Sequence, residues 1–214
     1  MLNFSELIKA GGFMMWPLLI CSLLIWAVIF ERLWRYRRLG HDLRTFQLEA
    51  NNLLLRNEHD ALKSLCARHR DLPTARLLQT ALDRMSAKDV RVRQNWHEAL
   101  ERRRLMENQD LKSHLWILGT VGASAPFIGL LGTVVGILRS FQDMAKTGAG
   151  GFAVVAAGIS ESLVATAAGI TVAVVAVIAY NAFQTRWSHL VLTIKLHTEE
   201  LAEILRGHES SHGA

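Results

Sequence analysis

Between Gly148 and Gln184 the chain carries a single charged side chain, Glu161. The run is otherwise apolar and long enough to cross a bilayer as a helix, and a helix is what lipid demands because it satisfies every backbone polar group internally. A carboxylate inside such a segment costs several kcal/mol, roughly 2.5–3.5 on insertion scales, unless it faces protein or water. Glu161 is therefore a candidate functional residue. Around it Gly158, Ser162, Ala165, Thr166, Gly169 and Ala173 form a ladder of small side chains at helical spacing. Small residues let backbones approach, so this helix is expected to pack on others over more than one face.

Two further uncharged runs, residues 13–30 and 115–138, also reach spanning length, while the segments between them are rich in charge. The expected fold class is an all-α membrane protein with three transmembrane helices. Of the 24 Lys and Arg residues, 18 lie between Arg32 and Lys112, and the positive-inside rule places that segment in the cytoplasm. The topology is then N-out and C-in. The first run has one lysine before it, arginines after it and no small-residue cleavage pattern, so it reads as an anchor, not a cleaved signal. The formal charge of +5 gathers beside the spans and is taken as topogenic, with contact to membrane lipid and none to nucleic acid.

The resulting plan is an amphipathic helix on the outer surface over 1–12, spans over 13–30, 115–138 and 152–183, a cytoplasmic helical domain over 31–114, a periplasmic loop over 139–151, and a cytoplasmic C-terminal helix and tail over 184–214. Within the cytoplasmic domain, apolar residues recur at helical spacing, and Pro73 separates two helices. Asn57 with Asp60, and Ser86 with Asp89, have the spacing of N-caps followed by an acid. Residues 88–112 contain neither Gly nor Pro, so one helix is expected to run from there straight into the second span. Residues 186–206 should continue the third span until Gly207, with 207–214 disordered. Cys21 and Cys66 fall in different segments, and no disulfide is expected.

The second span contains Gly129, Gly132 and Gly136, the last two a close-packing pair at four-residue spacing. At about 1.5 Å per residue, Thr133 lies ~27 Å from the inner end at Leu115, and Thr166 lies ~26 Å from the inner end at Phe183. The two threonines should be level, with Glu161 about 7.5 Å further out. Glu161 and Thr166 sit about 140° apart around their helix. Either two helix faces line a polar path, or Thr166 contacts a neighbouring span while Glu161 faces a lumen.

The stretches Pro126-Phe127-Ile128-Gly129-Leu130-Leu131-Gly132-Thr133-Val134-Val135-Gly136-Ile137 and Gly158-Ile159-Ser160-Glu161-Ser162-Leu163-Val164-Ala165-Thr166-Ala167-Ala168-Gly169, with Tyr180-Asn181, resemble the MotA/TolQ/ExbB proton-channel family. The three-span plan is similar to its TolQ/ExbB branch. The resemblance implies a homopentamer around a central pore lined by the second and third spans, and an ExbD/TolR-like dimer of single-span partners inside it. It implies an ion pathway of Glu161, Thr133 and Thr166, with Gly129, Gly132, Gly136, Gly158, Ser162 and Gly169 as helix-packing positions. It also implies a multi-pass protein of the bacterial inner membrane that uses the proton motive force for TonB-dependent import, Tol-Pal function or a gliding-type motor, with a TonB/TolA-like protein as a further partner. The chain departs from the family pattern over residues 172–179, which lack the Pro usual ahead of Tyr-Asn.

No enzyme and no cofactor are expected. There is no nucleophile triad at recognisable spacing, and Lys146-Thr147-Gly148 lacks the glycine a phosphate loop needs before its lysine. His208 with His212, and Cys66 with His69, have metal spacing but too few further ligands nearby. The rival function is a non-conducting membrane scaffold with a structural Glu161, and measured proton flux separates the two.

Overall fold

A computed structural model describes residues 12–56, 58–147 and 152–212. The expected surface helix over 1–12, apart from Gly12, the cap at Asn57 and residues 148–151 of the expected loop over 139–151 lie outside the described residues, as do the side chains of His208 and His212, while residues 139–147 of that loop continue the preceding helix. Among the described residues all regular structure is helical: α1 Met15–Leu55, α2 His59–Arg68, α3 Pro73–Met85, α4 Val90–Gln94, α5 Trp96–Lys112, α6 Leu115–Thr147 and α7 Phe152–His212. Three of these, α1, α6 and α7, are long and apolar enough to cross a membrane.

The chain forms two compact units, and α1 and α7 each contribute to both. The first contains the chain up to Arg32 together with His114–Phe183. Its interior is made of Leu18, Ile25, Leu118, Ala125, Ala165 and Ala176, small or branched residues that let three helices approach closely. Its outer faces carry large apolar side chains such as Leu23, Trp116, Phe127 and Ile178. A water-soluble monomer seldom exposes so continuous an apolar surface.

The second unit contains Leu33–Ser113 and Gln184–Ala214. Leu43, Phe46, Leu54, Leu62, Leu78, Trp96, Leu100 and Leu205 lie in one continuous core. Pro73 opens α3, where its missing N–H removes nothing the helix would use. The Tyr36 hydroxyl donates to the Leu111 carbonyl at 2.8 Å, and the Trp187 indole donates to the Asn108 carbonyl at 3.2 Å. Together they tie α5 to both long helices. Glu107, 1% exposed, is paired with Arg76 at 2.5 Å and Arg103 at 2.9 Å.

Three local expectations are corrected. The cap before α4 is Asp89, whose carboxylate accepts from the Arg91 N–H at 2.8 Å. Ser86 instead closes α3, its hydroxyl donating to the Leu82 carbonyl at 2.8 Å. Second, residues 88–112 do not form one helix feeding the second span. The backbone breaks at Asn95 and again at Ser113–His114, where His114 takes the left-handed conformation, φ 64°. Side chains make this break without Gly or Pro: the Ser113 hydroxyl donates to the Asp110 carbonyl at 2.8 Å, and His114 Nδ1 lies 3.0 Å from Glu31 Oε2. Third, Gly207 does not stop α7, which continues to His212. A single glycine costs a helix interior about 1 kcal/mol relative to Ala, too little to end it unaided.

Candidate ion pathway

The α6–α7 seam is built on glycine. A Cβ added at Gly169 would lie 2.6 Å from the Ala125 carbonyl oxygen and 3.1 Å from the Gly129 Cα; one added at Gly129 would lie 2.9 Å from the Thr166 Cα. At Gly136 it would meet the Ser162 Cβ at 2.5 Å, and at Gly132 the Ala165 Cβ at 2.9 Å. Gly158 faces the Ser140 hydroxyl so closely that no Cβ fits. The contacts step outward along α6 as they step back along α7, so the antiparallel pair keeps one register from Ala125 to Ser140. Nearer the inner end a Cβ added at Gly119 would lie 3.5 Å from the Tyr180 ring, an ordinary contact. All six packing positions named from the sequence lie on this seam.

That close approach brings the two threonines together. Thr166 Oγ1 donates to the Gly129 carbonyl at 2.9 Å and lies 3.5 Å from Thr133 Oγ1, which itself donates to the Leu130 carbonyl at 2.6 Å. One turn outward Ser162 donates to the Ile159 carbonyl at 2.8 Å, and about two turns outward Ser140 donates to the Gly136 carbonyl at 2.9 Å. Each hydroxyl hydrogen is thus committed to a backbone carbonyl, and what the four present to an incoming proton or water is an oxygen lone pair.

Glu161 does not join the threonine pair. It is exposed on a cavity of about 330 Å³ lined also by Met14, Gly136, Arg139, Ser140, Asp143 and Ser162. Of the two arrangements the helical wheel offered, Thr166 contacts a neighbouring helix as the second requires, while Glu161 opens on a cavity that α6 also lines. Arg139 and Asp143 are functional candidates that sequence reasoning missed. They stand just beyond the uncharged run of the second span, and their signal was their i, i+4 spacing on a helix that continues to Thr147.

A second polar cluster marks the inner end of this unit. Arg32 is fully buried, with a guanidinium nitrogen 3.2 Å from Glu31 Oε1 and 3.1 Å from His114 Nδ1. Cys66, in the other unit, is buried, and its thiol is pushed up to about 12 by desolvation, with Asp83 adding to it. That favours an inert thiol over a metal ligand with His69.

The chain matches the MotA/TolQ/ExbB proton channel family over residues 69–195. It is 42% identical to the Tol-Pal system protein TolQ of Pseudomonas aeruginosa over 99 residues, 46% of this chain and 43% of that protein. It is 32% identical to the biopolymer transport protein ExbB of Salmonella typhimurium over 78% of this chain and 69% of that one. It is 31% identical to the biopolymer transport protein ExbB-like 3 of Synechocystis over 92% of both chains. The aligned stretch therefore spans less than half of the TolQ relative but nearly all of the Synechocystis protein. With the seam, the paired threonines and the lone carboxylate between Gly148 and Gln184, these likenesses fix the family: the chain is a member of the TolQ/ExbB branch of the MotA/TolQ/ExbB proton channel family.

Proposed function

We propose that the chain is the channel-forming stator subunit of a bacterial inner-membrane complex that uses the proton motive force to energise a periplasmic or outer-membrane process. Five copies surround a central pore to which each contributes α6 and α7, with the N-terminus outside and the C-terminus in the cytoplasm. An ExbD/TolR-like dimer occupies the pore. A proton entering from outside binds Glu161 and passes inward beside the Thr133–Thr166 pair. Movement of the partner then carries work across the periplasm, for TonB-dependent import, Tol-Pal function or a gliding-type motor. Nothing in this cycle calls for an enzyme active site or a bound cofactor.

The observation that carries the reading is the placement of Glu161. Small residues pack the seam on which the threonines meet, yet the carboxylate of the same helix opens onto a roomy cavity. A structural glutamate would instead be expected to sit within hydrogen-bond reach of a neighbouring helix. The exposed apolar faces of α6 and α7 are also of the kind that further copies or lipid would cover.

The test is Glu161→Gln in liposomes holding the chain with the proteins that co-purify with it. Gln keeps the volume and hydrogen-bonding capacity but cannot titrate, so the complex should assemble normally and proton flux should vanish. Wild-type flux in that variant removes Glu161 from the ion pathway, and absence of flux in the unmodified complex returns the chain to the scaffold reading. Native mass spectrometry in mild detergent checks the assembly: a stable monomer or dimer contradicts the pore, and a tetramer or hexamer contradicts the subunit number.

A further inference from the structure

The cavity that holds Glu161 also holds Arg139, Asp143, Ser140 and Ser162. Gly136 meets Ser162 and Ser140 meets Gly158 across the seam, so Arg139 stands within about one helical turn of the level of Glu161. Asp143 is a further turn out on the same face of α6, so Arg139 stands along the helix axis between the levels of Glu161 and Asp143. Both serines have already given their hydrogens to the Gly136 and Ile159 carbonyls. They therefore offer lone pairs only. Two carboxylates and two hydroxyl acceptors around one cavity are the oxygen-rich surroundings that a hard cation seeks.

Arg139 changes what such a cavity will take. Its guanidinium brings a fixed positive charge to the cavity wall and has no lone pair to offer a metal ion. A sodium ion must gather several oxygens around itself beside that fixed positive charge. A proton needs one lone pair on one carboxylate oxygen, forms an O–H bond there and leaves no net charge on the group. We propose that Arg139 is the specificity-determining residue of this site, closing the cavity to sodium while leaving Glu161 open to a proton. The inference rests on the channel reading above and adds the residue that selects the ion.

Carbodiimide labelling tests it, because the reagent adds to a protonated carboxyl and bound sodium would shield it. Full-length chain with its co-purifying partners is placed in liposomes, and labelling of Glu161 is followed by mass spectrometry at fixed pH with sodium or choline chloride. In the wild type sodium should leave the labelling rate and the proton flux unchanged. In Arg139→Gln sodium should slow labelling several-fold and inhibit proton flux, while Arg139→Lys, which keeps the positive charge, should behave as the wild type. Sodium protection in the wild type overturns the proposal whatever the variants do. Flux in the wild type with a sodium-indifferent Arg139→Gln overturns the role of Arg139 alone. Absence of proton flux in the wild type defeats the channel reading and this inference with it.

Discussion

Gly169→Ala is the most searching test of the seam, because everything its new methyl would strike is backbone. The Cβ would stand 2.6 Å from the Ala125 carbonyl oxygen, 3.1 Å from the Gly129 Cα and 3.2 Å from the Gly129 nitrogen. An ordinary carbon–oxygen contact is about 3.3–3.6 Å, and no rotamer change moves a helix backbone. The helices must part, and the Thr166 bond to the Gly129 carbonyl, made by the neighbouring turn, stretches with them. Overpacking of this kind costs about 1–3 kcal/mol and the lost hydrogen bond about 1 more.

Alanine also gains up to about 1 kcal/mol of helix propensity over glycine, which would mask part of that cost. Gly40→Ala supplies the control: Gly40 is inside α1, and a Cβ there meets nothing within 4 Å. It takes the propensity gain without the clash. The difference between the two variants should be about 2–4 kcal/mol, and at about 2–4 °C per kcal/mol for a chain this long Gly169→Ala should melt well below Gly40→Ala. Fluorescence of the six tryptophans, followed on heating in mild detergent, reads it. Gly122→Ala should rank between them, since its methyl meets the Val177 Cγ2 at 2.8 Å, a group that can swing aside. Coincident melting of Gly169→Ala and Gly40→Ala would refute the close approach itself.

Thr166→Val should lower stability by about 1 kcal/mol through loss of the inter-helix bond, more than Thr133→Val, whose hydroxyl bonds within its own helix. Both should reduce proton flux, and full flux in both would leave the hydroxyls as a helix lock. Burial raises Glu107 above the ordinary glutamate range despite the pull of Arg76 and Arg103. The folded chain thus holds that proton to higher pH than the unfolded chain does, so this group's share of stability falls as pH rises from the ordinary glutamate value toward the raised one. Glu107→Gln should remove the slope from unfolding measured across that window, and an unchanged slope would place its origin elsewhere. At the α5–α6 break, His114→Gly should be more stable than His114→Ala by about 1 kcal/mol, because both lose the imidazole and only Gly accepts φ 64° freely; equal melting temperatures would contradict that.

The packing of the candidate site was legible in the sequence because its signals are local and periodic. Apolar runs announce helices by length, small residues at three- and four-residue steps announce the face that packs, and a fixed rise per residue sets Thr133 level with Thr166 before any contact is seen. The rotational setting was not local. Thr166 reaches the Gly129 carbonyl because Gly129 and Gly169 let the two helices close there, while Glu161 opens on the cavity beside Gly136 and Gly158. The break at Ser113–His114 was hidden for a related reason. Neither residue is a helix breaker, and the left-handed turn is compensated by Glu31 and Arg32, more than eighty positions earlier in the chain. Asp89 outcompeted Ser86 as a cap because the Ser86 hydroxyl was already held by the helix behind it. Arg139 escaped attention because it lies one residue past the uncharged run, where a charge costs nothing by hydropathy. A helix that continues through that boundary carries the guanidinium to the wall of the Glu161 cavity, and there its charge bears on which cation the carboxylate can accept.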